Sequence, residues 1–324
     1  MAAIRSILER FDLRYSALVQ GFDHVVGPAV SRLNRERLAS ATGREVVDFG
    51  RQADAPLLSV IVPLYGRLDF MEYQLALFSA HDPELEYELI YVLDDPDRQR
   101  EAELLAASVF ARFALPFRLV LLERNVGYAP ANNIGLELAR GDYVCFLNSD
   151  VFPQTPDWMA RLVDRLLLDS GLGAVGPLLL FEDGGVQHQG MAFEALPEFG
   201  GWMFPLHPRK GWRPPTGDGE GEGVLAAPAI TGACLVVARD VVRELGGLDE
   251  SFVIGDFEDA DLCMKLAARG LRCGVDLETR MYHLERQSQA GSEQRWRMNL
   301  TLYNAWVHER RWGERLRESA ELPA

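Results

Sequence analysis

Lysine is nearly absent from this 324-residue chain. Only Lys210 and Lys265 occur, so almost all of its 33 basic residues are arginine, and these face 48 acidic residues for a formal net charge of −15. Neutralising a nucleic-acid backbone takes basic patches, so this balance excludes nucleic acid as a partner. An anionic ligand must instead be met by a metal ion or by local arginines, whose planar guanidinium groups can grip a diphosphate through two bonds. Long apolar runs are missing too. No stretch approaches about 18 consecutive apolar residues, so no membrane-spanning helix is expected. Arg5, Glu9 and Arg10 interrupt the N-terminus where a signal peptide would need an unbroken apolar core. Cysteine is scarce: Cys145, Cys234, Cys263 and Cys273 lie far apart in apolar or helical patterns, without metal-ligand spacing. They read as buried free thiols, which suits a reducing cytosol. The expected location is cytoplasmic, either free or peripheral at the inner face of the membrane.

What is present is a large apolar fraction, 48%, enough to bury the core of one large or two modest domains. Residues 1 to about 50 read as helical, with Ile4, Ile7, Leu8, Phe11 and Leu18 at helix-like spacing. That apolar face is available to the main domain, to a protein partner or to a membrane surface. A boundary is expected near Gln52-Ala53-Asp54-Ala55-Pro56, making residues 1–55 a helical extension that the chemistry does not require.

From Leu57 the pattern alternates. Strands are predicted at 57–64, 87–93, 117–122 and 143–147, with helices at 69–80, 97–113, 129–140 and 156–168. Strands apolar on both faces, alternating with helices, call for an α/β fold with a mostly parallel sheet covered on both sides. After Gly173 come strand-like runs at 174–180 and 186–193, a Trp-, Pro- and Gly-rich loop at 197–223, and a strand at 230–238. A short helix follows from Arg239, then a helix at 259–269 and a last amphipathic helix at 293–315. Aromatic residues of the long loop, Trp202, Phe204 and Trp212, with His207 and Arg209, suit either an exposed stacking lip or the cover of a small satellite core.

Carboxylates sit at the carboxyl ends of predicted strands, where open α/β sheets bind ligands. Asp94 and Asp95 follow one strand, Asn148-Ser149-Asp150 follow another, and Glu258-Asp259 open a helix. A divalent cation held against a diphosphate needs hard oxygen ligands, and a base that takes a hydroxyl proton needs a placed carboxylate. These residues are of the types that such chemistry requires. Alternative roles for the same positions are turn capping for Asn148-Ser149-Asp150 and favourable placement of acids at a helix N-terminus for Glu258-Asp259.

Eight short stretches in order resemble the family 2 glycosyltransferases, inverting enzymes of the GT-A fold. They are Ser59-Val60-Ile61-Val62-Pro63-Leu64-Tyr65, Asp94-Asp95, Asn125-Val126-Gly127-Tyr128 with Asn133-Ile134-Gly135, Asn148-Ser149-Asp150, Thr231-Gly232-Ala233, Gly247-Leu248-Asp249-Glu250-Ser251-Phe252, Glu258-Asp259 and His283. The resemblance covers about Leu58 to Ser288. It implies a GT-A domain over 56–290, with a nucleotide-sugar half (56–180) and an acceptor half (181–290), followed by a helical tail (291–324). It implies Mn²⁺ or Mg²⁺ as cofactor, Asp150 and His283 as metal ligands, and Asp259 as general base with Glu258 as the alternative. Pro63, Tyr65, Asp94 and Asp95 would frame the nucleoside. Asn125, Gly127, Asn133 and Asn148 would line the donor site; Asn148 stands where the family motif usually carries an acid. The implied substrates are a UDP-, dTDP- or GDP-sugar donor and a glycan or lipid-linked acceptor, in cell-surface polysaccharide synthesis. A non-catalytic nucleotide-sugar- or glycan-binding component of a biosynthetic complex is the alternative.

Overall fold

The computed structural model describes residues 1–10, 21–40, 43–80, 85–215, 222–284 and 295–321. Its strands are β1 (Arg44–Phe49), β2 (Leu58–Leu64), β3 (Tyr87–Leu93), β4 (Phe117–Leu122), β5 (Tyr143–Leu147), β6 (Val151–Pro153) and β7 (Leu172–Leu180). They continue with β8 (Val186–His188), β9 (Ala192–Leu196), β10 (Trp202–Leu206), β11 (Val224–Ala227), β12 (Cys234–Ala238) and β13 (Arg272–His283). The α-helices, numbered α1 to α9, are Ala2–Arg10, Gly27–Ala39, Asp69–Phe78, Gln99–Phe113, Tyr128–Leu138, Trp158–Leu168, Arg239–Glu244, Glu258–Ala268 and Arg295–Glu321.

The main sheet runs β1-β4-β3-β2-β5-β12-β7-β13-β11. Its β4-β3-β2-β5 centre is parallel, as the βαβ rhythm requires. β12 then enters antiparallel between β5 and β7, so the second half of the sheet is mixed. Leu58, Val60, Val62 and Leu64 of β2 face a layer built by α3, α4 and α6. Ile61 faces the opposite layer, to which α5, α7 and α8 contribute. The sheet thus carries helices on both faces, as the sequence pattern called for. Among the described residues no helix is long and apolar enough to cross a membrane.

Several elements differ from the sequence reading, among them β6, β11 and the long β13, none of which was expected as a strand. Residues 44–49, expected to be helical, form β1, which pairs antiparallel along the whole of β4. Its residues are mostly exposed; an edge strand of this kind is specified by the backbone partners that β4 offers rather than by its own apolar pattern. The expected strand at 186–193 is broken at Gly190, which has φ +94°. A Cβ added there would stand 2.7 Å from that of Ala227, so the position admits only glycine. The long loop contains β10, which forms a hairpin with β9.

The N-terminal segment is not an outlying arm. Ile4, Leu8, Phe22, Val26 and Val30 are buried against Trp296, Leu300, Tyr303 and Trp306 of α9. Ile4 and Leu8 of the expected apolar face are thus packed inside the chain; Phe11 and Leu18 lie outside the described residues. Trp306 is central to this layer. It stacks on Phe22, donates from Nε1 to Asp23 at 2.7 Å, and touches Gly27 so closely that any side chain there would collide with its ring. Trp306→Ala is expected to cost about 3–5 kcal/mol, read as a fall in Tm by calorimetry; an unchanged Tm would show that the layer contributes no stability.

Candidate functional site

The site lies at the carboxyl ends of β2, β3 and β5. Asp94, just beyond β3, is buried. Its carboxylate accepts the backbone N–H groups of Val126 (2.5 Å) and Gly127 (2.8 Å) and the Asn125 amide (2.9 Å). Arg37 of α2 donates to the Val126 carbonyl at 2.8 Å. Asp94 and Asn125 thus brace the loop into α5, and Asp94 has no carboxylate oxygen left over from that brace. Gly127 has φ +95°, and its Cα side packs against the Ile254 backbone, so this turn needs glycine. Burial lifts the Asp94 carboxyl to about 7, against the pull of the Val126 and Gly127 N–H groups and of Arg37.

Asp95 is half-buried, with Oδ2 3.2 Å from the Gly66 N–H. Pro63 and the exposed Tyr65 stand beside it on the end of β2. These three form an open ledge. Asn133 does not join it: its amide donates to the Leu248 carbonyl (2.8 Å) and to Glu250 (3.0 Å), and accepts from Leu248 N–H. Its side chain clamps the 247–250 turn.

Asp150 and His283 do meet. β6 pairs with β13 so that Val151 opposes His283, and Leu284 N–H donates to the Asp150 carbonyl. The Asp150 Oδ1 and His283 Nε2 atoms lie 3.5 Å apart, both side chains about 10% exposed. His283 Nδ1 and Asn148 Oδ1 are buried and without a hydrogen-bond partner in the described structure. An imidazole, a carboxylate and an unsatisfied amide oxygen are a donor set that fits Mn²⁺ or Mg²⁺. Among the described residues no group of three or more His, Cys, Asp or Glu side chains gathers for a metal, so ligand oxygens would have to complete a cation's shell. A groove of about 520 Å³, lined by Arg67, Phe70, Tyr73 and Leu77, reaches Phe152 and Leu284, the neighbours of this pair.

Glu258 and Asp259 open α8 and part company there. Glu258 is buried, and burial, followed by the charges of Asp259 and Asp256, pushes its pKa far above the usual carboxylate range. That burial favours the neutral form of Glu258 over the carboxylate. Asp259 is half-buried, with Oδ2 accepting Gly232 N–H (2.8 Å) and Oδ1 accepting Ala260 N–H (2.7 Å). The approach to α8 is strained: Ile254, Asp256 and Phe257 have φ of +67°, +85° and +76°, at about 1–3 kcal/mol each. Asn304 of α9 holds that turn, accepting Val253 N–H and donating to the Val253 and Gly255 carbonyls.

These geometries sit on a chain whose residues 59–245, more than half of it, match the model for Glycosyl transferase family 2. The chain belongs to that family. O-antigen biosynthesis protein RfbC of Myxococcus xanthus is 29% identical over 260 residues, which are 78% of this chain and 19% of the relative. The chain thus spans about a fifth of that relative's length, and less than half of two others it matches broadly. The crystal structure of GalNAc-T7 with UDP, GalNAc and Mn²⁺ superposes with TM-score 0.56 at 18% identity, over 82% of this chain and 52% of that one. Mannosyltransferase PcManGT from Pyrobaculum calidifontis, in complex with GDP-Man and Mn²⁺, gives TM-score 0.50 at 16% identity, over 98% and 85%. Both likenesses are of fold.

Two further side chains that brace these segments were not expected from sequence. Asn304 gives no local signal, because an asparagine on an amphipathic helix is ordinary. His188, between Gln187 and Gln189, is buried and bonded to the segment that holds Asp259; Gln-His-Gln before a glycine was the available clue.

The raised Asp94 pKa has a measurable sign. The unfolded carboxyl releases its proton near its ordinary 3.8 and the folded one near 7, so the native state binds more protons in between. Its contribution is then complete below about pH 4 and is lost as pH rises through about 7. The stability advantage of wild type over Asp94→Asn is expected to shrink across that window in urea titrations. A pH-independent difference would show that the carboxylate stays ionised in the fold.

Proposed function

We propose that the protein is an inverting glycosyltransferase that moves a sugar from a nucleoside-diphosphate donor to a hydroxyl of a glycan or lipid-linked acceptor. The observation that carries this reading is the shared segment Thr231-Gly232-Ala233. Its Gly232 N–H holds Asp259, and its Ala233 carbonyl accepts Asn148 N–H at 2.9 Å, two residues from Asp150. One rigid segment therefore fixes both a carboxylate base and the diphosphate end of the site.

Asp259 takes the acceptor hydroxyl proton through a lone pair that its two backbone bonds leave open. Tyr65, Pro63 and Asp95 receive the nucleoside on the ledge. Asp150 and His283 would hold Mn²⁺ or Mg²⁺, whose charge stabilises the departing diphosphate. The similarity to RfbC supports a place in surface-polysaccharide assembly, and the buried free thiols support a cytoplasmic setting.

The test is a thermal-shift screen of UDP-, dTDP- and GDP-sugars with and without Mn²⁺, followed by measurement of nucleoside diphosphate release. A metal-dependent shift with turnover is expected; a shift without turnover would leave a binding component. Asp259→Asn should lower turnover by roughly 10²- to 10⁴-fold with donor affinity held within a few-fold. Retained turnover would place the base elsewhere. Asp150→Ala should weaken Mn²⁺-dependent donor binding in calorimetry, and His283→Ala should raise the Mn²⁺ concentration for half-maximal activity with little change in metal-free Tm. A lower Tm with an unaltered metal requirement would make His283 a structural residue.

A further inference from the structure

His188 lies at the end of β8 and is 1% exposed. Its Nε2 stands 3.2 Å from two backbone nitrogens, those of Gly190 and Thr231. A backbone N–H can only donate, so Nε2 must carry a bare lone pair, and the ring proton must sit on Nδ1. Nδ1 lies 2.9 Å from the Nδ1 of His207. His188 therefore donates there and His207 accepts. Burial, with the neighbouring His207, His283 and Lys210, lowers the His188 pKa well below that of a free imidazole, consistent with a neutral ring.

The two partners of this ring belong to different parts of the site. Thr231 immediately precedes Gly232, whose N–H holds Asp259. Thr231 Oγ1 accepts the Ala233 N–H at 3.2 Å, and Tyr128 Oη donates to the Gly232 carbonyl at 2.8 Å. His207 begins the loop that carries Trp212, which is 66% exposed. Backbone bonds from Val186 N–H to the Trp212 carbonyl and from Gly211 N–H to the Val186 carbonyl tie that loop to β8. By contrast Trp202 packs on Phe22 and Phe204 is buried, so Trp212 is the aromatic side chain of this region that faces solvent.

We propose that His188 is a positioning residue: as the Nδ1–H tautomer it couples the Trp212 loop to the Thr231-Gly232 backbone and so sets the Asp259 carboxylate for proton transfer. This rests on the reading of Asp259 as the base. An error of about 1 Å in the placement of such a group costs on the order of a hundredfold in rate, whereas donor contacts on the β2 and β3 ends do not pass through this ring.

The two nitrogens can be replaced one at a time. His188→Gln puts an acceptor oxygen near the Nε2 position and gives up the bond to His207. His188→Asn puts a donor near the Nδ1 position and gives up the two backbone bonds. Turnover is followed with UDP-glucose, dTDP-rhamnose and GDP-mannose, Mn²⁺ and water or free sugars as acceptors, and binding with UDP, dTDP and GDP by calorimetry. His188→Asn is expected to lower kcat roughly ten- to a hundredfold with donor KM and nucleotide Kd within about threefold. His188→Gln is expected to keep kcat within about threefold and to raise acceptor KM. Equal losses of Tm in both variants with kcat unchanged would overturn the proposal, as would a fall in nucleotide affinity. The ¹⁵N shifts of the six histidines in the unliganded wild-type protein supply a readout that needs no turnover. A bare Nε2 and a protonated Nδ1 at His188 are expected, and the opposite tautomer or an imidazolium would overturn the coupling. Failure of the glycosyltransferase reading shows differently, as no nucleotide release by wild type with a correct His188 tautomer.

Discussion

The candidate site depends on the backbone of three residues that carry no charge. Thr231, Gly232 and Ala233 run between β11 and β12 through the interior, where each N–H and C=O must find a partner. The chain supplies those partners from distant side chains and strands: His188 for Thr231 N–H, Asp259 for Gly232 N–H, Tyr128 for the Gly232 carbonyl, and Asn148 N–H for the Ala233 carbonyl. Satisfying this short stretch brings residues from β8, α5, the β5 end and α8 to one place. A Cβ at Gly232 would lie 3.3 Å from that of Asp259, close enough to press on that side chain.

A second constraint acts on α8 from outside the sheet. The strained turn at 254–257 persists because α9 grips it, through Asn304 on Val253 and Gly255 and through Thr301 on Asp256. Farther along, Asp261 of α8 is buried between Lys265 (2.8 Å), Arg311 (2.5 Å) and the Trp312 indole N–H (2.8 Å). Such a buried charge is tolerable only with its partners in place. α9 is in turn held by the N-terminal helices, so a layer remote from the chemistry supports the geometry of the helix that begins with Glu258 and Asp259.

Several acidic residues of the chain have internal partners, some beside the site and some remote from it. Asp94 braces a loop, Asp261 anchors α9, and Glu88 of β3 pairs with Arg140 at 2.8 Å. Asp95, Asp259 and the Asp150 and His283 pair are the groups to which the proposed function assigns a ligand.

The sequence by itself determined the α/β alternation, the parallel centre and the family, because strands buried on both faces and helices with one apolar stripe leave periodic traces. It also brought Asp150, His283, Asp95 and Asp259 into one reading through short ordered stretches. Only the tertiary structure decided what their neighbours do. Asn133 and Asp94 carry the same polar groups whether they bind a ligand or a backbone, and the difference is set by which N–H groups and carbonyls the fold leaves unpaired beside them. Likewise β1 reads as helix because an edge strand takes its order from β4. His188 and Asn304 were silent because their bonds reach segments 43 and 51 residues away, a distance over which local pattern carries no information and only the folded chain does.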